Sequence, residues 1–138
     1  MIGAGGLGSC LSLELALRGE EVTLLEKNPA ALAESSFYNE GKVHLGYIYA
    51  KDHSLATAAQ MVDGALAFMA GLKRWISIDP DSVTSTPFYY GVHTGSLMSP
   101  AALLAHYRDC EALYQERSAG TALDYLDLGV GSHVRHLH

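Results

Sequence analysis

Glycines near the start of the chain have the type and spacing that could bind a phosphate group. Gly3, Gly5 and Gly8 form a complete G-x-G-x-x-G, and Gly6 adds a further glycine to the loop. A diphosphate is bound by backbone N–H groups at the start of a helix, and a side chain at the second glycine would block its approach. The first glycine permits a tight turn, and the third lets the helix pack closely. The pattern predicts a loop that binds the diphosphate of a dinucleotide.

An acidic residue follows at the distance that such a site requires. Glu26 comes about 20 residues after the glycines, where a carboxylate accepts hydrogen bonds from an adenosine ribose. Between them, Leu7 to Arg18 predicts a helix that stops at Gly19, and Glu21 to Glu26 predicts a short strand. This order favours a dinucleotide-binding unit over a glycine-rich turn beside a surface glutamate. Lys27 could contact a 2′-phosphate, although a solvated lysine is the simpler interpretation.

These elements predict an α/β fold with a Rossmann-like βαβ unit, followed by the start of a mixed α+β substrate region. In a βαβ unit the glycines follow a buried strand of about 5–6 residues. Only Met1 and Ile2 precede Gly3 in this sequence. We therefore expect a chain that is truncated at its start, and also at its end, where no later segment completes a substrate domain.

Composition narrows the class of partner. Hydrophobic residues make up 49% and charged residues 17%, which is typical of a globular protein. A net charge of −6 disfavours nucleic acid and anionic membranes as partners.

Two cysteines, Cys10 and Cys110, are too few for a disulfide framework and predict a cytoplasmic location. The apolar start lacks a positively charged leader region, and Glu14 interrupts it, so we expect no targeting or membrane-spanning segment.

A second informative stretch lies between Ser35 and Tyr49. Its first half is polar and turn-forming, and Val43 to Tyr49 predicts a strand. Because this loop follows the strand that carries the ribose acid, it is placed to run along a long cofactor towards its reactive end.

With this stretch the chain resembles the FAD-dependent oxidoreductases related to D-amino-acid oxidase and glycine oxidase. The resemblance rests on residues 2–8, on Glu26-Lys27-Asn28, and on Ser35-Ser36 leading into residues 41–46. It implies FAD contacts from Gly3, Gly5, Gly6, Gly8, Glu26, Lys27, Ser35 and Ser36, with Lys42 and His44 as neighbours of the isoalloxazine. For Lys42 and His44, a strand-flanking lysine and a hydrogen-bonded structural histidine are equally open interpretations.

The remaining sequence predicts mainly core elements. Asp52 or Ser54 can cap a long apolar-striped helix that ends near Ile76, and Ser99-Pro100 can begin another. Residues 29–33 predict a short helix, residues 79–81 a turn, and residues 87–93 a strand. The aromatic residues at positions 88–90 could line a pocket, although core packing is the more common use. Three histidines in residues 129–138 lack a rigid frame, so we expect no metal site there, and either a disordered tail or non-native residues that follow a truncation.

The resemblance implies an FAD-binding part of an oxidoreductase that oxidises a small substrate, an amine or amino acid, by hydride transfer to the flavin. We expect residues 1–50 to form the cofactor unit, 51–128 to lead into the substrate domain, and 129–138 to be the tail. Two alternatives are an NAD(P)-dependent dehydrogenase, which shares the glycine pattern, and a non-catalytic truncated fragment. The sequence indicates a small-molecule substrate as the partner. It indicates neither the catalytic residues nor the oligomeric state.

Overall fold

The computed structural model describes residues 1–39, 41–79, 82–83 and 89–128. The chain forms two compact units, Met1–Lys42 and Val43–His138. The predicted tail at 129–138, most of the predicted turn at 79–81, and the start of the predicted strand at 87–93 lie outside the described residues. The predicted domain division at residue 50 stays a prediction.

The first unit is built around helix α1, Gly6–Leu17, which matches the helix expected after the glycines. The helix ends where Gly19 adopts a left-handed φ of 86°, with its N–H donating to the Ala16 carbonyl at 3.0 Å. This is the glycine-terminated helix end that the sequence predicted.

The predicted Rossmann-like βαβ unit is wrong for this structure. The described residues contain no strand or sheet, and their β-pairing is a single parallel bridge between Ile2 and Leu25. Two hydrogen bonds make this bridge, from Gly3 N to the Leu25 carbonyl at 2.7 Å and from Leu25 N to the Met1 carbonyl at 3.0 Å. A strand needs several consecutive paired residues, and among the described residues only Ile2 and Leu25 pair, so the pairing stays at one bridge.

The short helix predicted for residues 29–33 is also wrong. That segment is a series of bends and turns, and Leu32 has a positive φ of 63°, which a continuous helix does not allow. A one-turn helix, α2, follows at Ser35–Tyr38. The polar stretch from Ser35, which was predicted to form a loop, therefore starts with one helical turn.

Without a sheet, the first unit buries little. Among its described residues only Ala4 and Ser12 are buried, while Leu7 and Leu17 on α1 remain exposed. A sheet packed against a helix normally covers such leucines. Because no sheet forms among the described residues, these leucines on α1 stay exposed.

The second unit packs two long helices, α3 at Ala56–Leu72 and α4 at Pro100–Ser118, with single 3₁₀ turns at Tyr47–Tyr49 and Tyr125–Asp127. Helix α4 begins as predicted, because the Ser99 hydroxyl accepts from Ala102 N at 3.2 Å and Pro100 takes the first helical position. None of the helices in the described part of the chain is long and apolar enough to cross a membrane.

Helix α3 starts at a backbone feature that the sequence did not indicate. Leu55, with a φ of 58°, holds the capping position, so neither predicted cap occupies it. Both predicted residues still accept hydrogen bonds from the first turn, Asp52 Oδ2 from Thr57 N at 2.9 Å and Ser54 Oγ from Ala56 N at 3.2 Å. These bonds satisfy N–H groups that lack helical partners.

The predicted strand at Val43–Tyr49 is not formed either. Gly46 turns the chain with a φ of 89°, and a Cβ there would lie 2.7 Å from the Ala58 Cα. This close approach packs the following 3₁₀ turn against α3. The core around it includes Tyr47, Val62 and Cys110, so the apolar run serves packing instead of strand pairing.

Candidate dinucleotide-binding site

The glycine loop leads directly into the first turn of α1. Gly3 has a φ of 91°, in the left-handed region that favours glycine, and Gly5 is the extended residue that precedes the helix. A Cβ on Gly8 would lie 1.9 Å from the Gly3 carbonyl oxygen. The loop and helix therefore approach to a distance that only glycine at position 8 permits.

Two side chains from outside the loop hold its backbone. Glu26 Oε2 accepts from Ala4 N at 2.6 Å, and Ser36 Oγ accepts from Gly6 N at 2.8 Å. The second carboxylate oxygen of Glu26 accepts from Asn28 N at 2.9 Å. The N–H groups of Ala4 and Asn28 hold the pKa of the Glu26 carboxyl below its usual value, because they donate to its charged form.

Helix α1 begins with backbone donors that are available to a ligand. Within the part of the chain that the structure describes, the N–H groups of Gly5, Leu7 and Gly8 donate no hydrogen bond. The helix has no acidic residue in its first turn and no side-chain cap at Gly5. Unpaired first-turn donors and the helix dipole both favour an anion. The arrangement can therefore bind a diphosphate.

Lys27 and Ser35 lie near this loop in sequence, but they do not hold it. The Lys27 ammonium pairs with the Glu34 carboxylate at 3.2 Å, and both side chains are exposed. Such a surface pair contributes little stability. Ser35 is the exposed first residue of α2, whereas its neighbour Ser36 makes the loop contact. Cofactor contacts from Lys27 and Ser35 stay predictions.

Lys42 and His44 were predicted to lie beside a flavin, and that role also stays a prediction. Lys42 is an exposed residue at the end of the first unit. His44 belongs to the second unit, where its ring lies 5.7 Å from the Tyr49 ring. The His44 Nδ1 atom is buried with no hydrogen-bond partner among the described residues.

Comparison with known proteins identifies the family. Residues 1–129 match the family described as FAD dependent oxidoreductase. The chain belongs to this family. The resemblance predicted from the glycine motif, the acid and the serine-containing stretch is therefore confirmed, and FAD is the cofactor of the family.

Two curated relatives match a shorter segment. Both carry the name D-amino acid dehydrogenase and come from two strains of Cereibacter sphaeroides, ATCC 17029 and ATCC 17023. Each is 45% identical over 47 residues, which are 34% of this chain and 11% of the relative. The matched segment thus spans about a tenth of the relatives' length. No solved structure matches the chain.

The loop contains groups that suit the diphosphate of FAD. A Cβ on Gly5 or Gly6 would lie 3.7 or 3.4 Å from the Ser36 hydroxyl, so the Ser36 side chain lies directly against the loop. The donors on this side are main-chain N–H groups, which bind phosphate oxygens without a counter-charge. Gly6 N already donates to Ser36, so the N–H groups of Gly5, Leu7 and Gly8 are the loop donors that remain for a diphosphate. The cofactor contacts predicted for Gly3, Gly6, Ser36 and Glu26 stay predictions.

Among the described residues of the second unit, two small cavities include aromatic or histidine side chains. One, of about 270 Å³, is lined by Tyr47, Tyr90 and Tyr107 among others. Tyr90 belongs to the predicted aromatic trio, whereas Tyr89 is 71% exposed and Phe88 lies outside the described residues. The other, of about 240 Å³, includes the buried His106. No sequence signal marked His106, because one histidine on a helix has no characteristic spacing.

The described residues contain no group of three histidine, cysteine, aspartate or glutamate side chains that could hold a metal ion. The histidines of the tail lie outside the described residues. Both cysteines have free thiols.

Proposed function

We propose that this chain is the FAD-binding part of an oxidoreductase that oxidises a small amine or amino acid. The observation that carries the proposal is the glycine loop at the start of α1, whose Gly5, Leu7 and Gly8 N–H groups have no acceptor among the described residues. Membership of the FAD dependent oxidoreductase family supports the redox chemistry. The relatives' name, D-amino acid dehydrogenase, supports a D-amino acid as the substrate.

The chain's own residues would bind and orient the cofactor. The α1 donors would bind the diphosphate, and the anionic Glu26 would accept hydrogen bonds from the adenosine ribose. When bound, FAD supplies the redox chemistry by accepting a hydride. None of the described contacts identifies a catalytic residue.

Binding of FAD to the purified 138-residue chain tests the proposal. We expect saturable binding, followed by flavin fluorescence, that NAD does not displace. Gly5→Ala should weaken binding at least tenfold, because its methyl group occupies the space in front of the loop donors. The substitution should leave the melting temperature unchanged, because the new Cβ meets only Ser36 Oγ at an ordinary 3.7 Å.

Gly71→Ala is the matched control, because a Cβ at this helical glycine meets nothing within 4 Å. It should bind FAD as the unchanged chain does. Absence of FAD binding by the unchanged chain, or equal binding by Gly5→Ala, would overturn the proposal. Reduction of the bound flavin by D-amino acids but not L-amino acids, measured as loss of flavin absorbance without oxygen, tests the substrate.

The proposed partners are this substrate and the cofactor, without nucleic acid or a membrane. The excess of acidic over basic residues supports this part of the proposal. A cytoplasmic location is supported by the two free thiols at Cys10 and Cys110. Fractionation of cells that express the protein would test the location.

A further inference from the structure

Glu26 makes a contact that recognition of a ribose does not require. Its Oε2 atom accepts from the N–H of Ala4, inside the glycine loop, at 2.6 Å. Its Oε1 atom accepts from Asn28 N at 2.9 Å, in the turn that follows the Glu26 segment. One carboxylate therefore ties two backbone segments together, and a ribose hydroxyl would use only the lone pairs that remain.

A second clamp lies on the other side of Gly5. The Ser36 hydroxyl accepts from Gly6 N at 2.8 Å, so the donors on both sides of Gly5 are held by side chains from outside the loop. The Gly5 N–H between them has no acceptor among the described residues. The clamps thus fix the loop while leaving this central donor available.

A loop with this composition needs such clamps. Glycine loses more conformational freedom on ordering than any other residue, and this loop holds Gly3, Gly5, Gly6 and Gly8. A ligand that had to order the loop itself would lose affinity by that entropic cost. Among the described side chains, Glu26 is the charged one that holds the loop backbone.

We propose that Glu26 is a positioning residue, whose bond to Ala4 N pre-organises the glycine loop for a diphosphate independently of any ribose contact. The proposal rests on the proposed function, because the diphosphate is that of FAD. Positioning of the loop and recognition of the ribose are two uses of this carboxylate. They predict different results for a ligand that lacks ribose hydroxyls.

The experiment compares FAD with an analogue whose adenosine ribose is 2′,3′-dideoxyribose. Glu26→Ala should weaken binding of the analogue about tenfold or more, because the loss of loop order affects both ligands. If Glu26 only recognised the ribose, the substitution would leave binding of the analogue unchanged, and the proposal would be overturned. Glu34→Ala is the control, since this exposed acid pairs with Lys27 and makes no bond to the glycine loop.

A measurement without ligand separates this proposal from the proposed function. Amide hydrogen exchange of Ala4 should be at least tenfold faster in Glu26→Ala than in the unchanged chain, because Ala4 N loses its acceptor. Glu26→Gln keeps one acceptor oxygen, so it should restore slow exchange at Ala4 and much of the affinity for the analogue. Unchanged exchange in Glu26→Ala would refute the positioning role even if FAD binds. Failure of the unchanged chain to bind FAD would refute the proposed function while this exchange result still decides the clamp.

Discussion

Replacement of Gly8 by alanine tests the close packing that shapes the loop. In the structure, a Cβ on Gly8 would lie 1.9 Å from the Gly3 carbonyl oxygen and 3.1 Å from the Gly3 carbonyl carbon. Ordinary contacts between carbon and oxygen are about 3.3 Å or longer, so the backbone must move by roughly 1–1.5 Å. The contacted atom belongs to the main chain, and no rotamer change can relieve the overlap.

The expected change in the free energy of unfolding of Gly8→Ala follows from two opposing effects. Forcing extra atoms into a packed site costs about 1–3 kcal/mol, with a backbone clash near the upper end. Glycine to alanine in a helix contributes up to about 1 kcal/mol in the other direction, and less in the first turn, where Gly8 lies. The net effect should be a loss of about 1–2 kcal/mol, or a melting temperature lower by roughly 4–10 °C. Affinity for FAD should fall at least tenfold, because the donors of Gly5 and Leu7 move with the loop.

Thermal unfolding followed by circular dichroism measures this change. Gly64→Ala is the matched control, a helical glycine in α3 whose added Cβ would meet nothing within 4 Å. It should stabilise the chain by up to about 1 kcal/mol through helix propensity alone. If Gly8→Ala melts at or above the temperature of Gly64→Ala, the close approach of loop and helix does not exist in solution and the reasoning fails.

Three further predictions concern the second unit and the thiols. Ser99→Ala should lower the free energy of unfolding by about 1 kcal/mol, because it removes the cap of α4; an unchanged denaturant midpoint would contradict this. Burial raises the pKa of Tyr107 and Tyr114 to about 12 each, above the ordinary value of 10. The stability that these neutral phenols contribute is present below pH 10 and is lost as the pH rises through about 12. Denaturant midpoints should therefore fall between pH 10 and about 12 and stay level just below pH 10. Cys10 should react with a thiol reagent before Cys110, whose pKa burial raises to about 11; equal rates in the folded chain would show that Cys110 is accessible.

The sequence by itself determined the cofactor family and the three longer helices. The spacing of Gly3, Gly5 and Gly8, followed by Glu26, depends on local geometry and on the size of a diphosphate, so it is visible without a fold. The Gly19 stop located the end of α1, the apolar stripe located α3, and Ser99-Pro100 located the start of α4. Helices are predictable because their hydrogen bonds and caps join residues a few positions apart.

Only the tertiary structure decided the strands and the contacts of the loop. The runs at Glu21–Glu26 and Val43–Tyr49 have strand composition, yet a strand exists only when a distant segment pairs with it, and one bridge at Leu25 is what forms. The bond from Ala4 N to Glu26 joins residues 22 positions apart, and the bond from Gly6 N to Ser36 joins residues 30 apart. Residue types indicate that such groups can bond, but the partner is selected by where the chain brings them together.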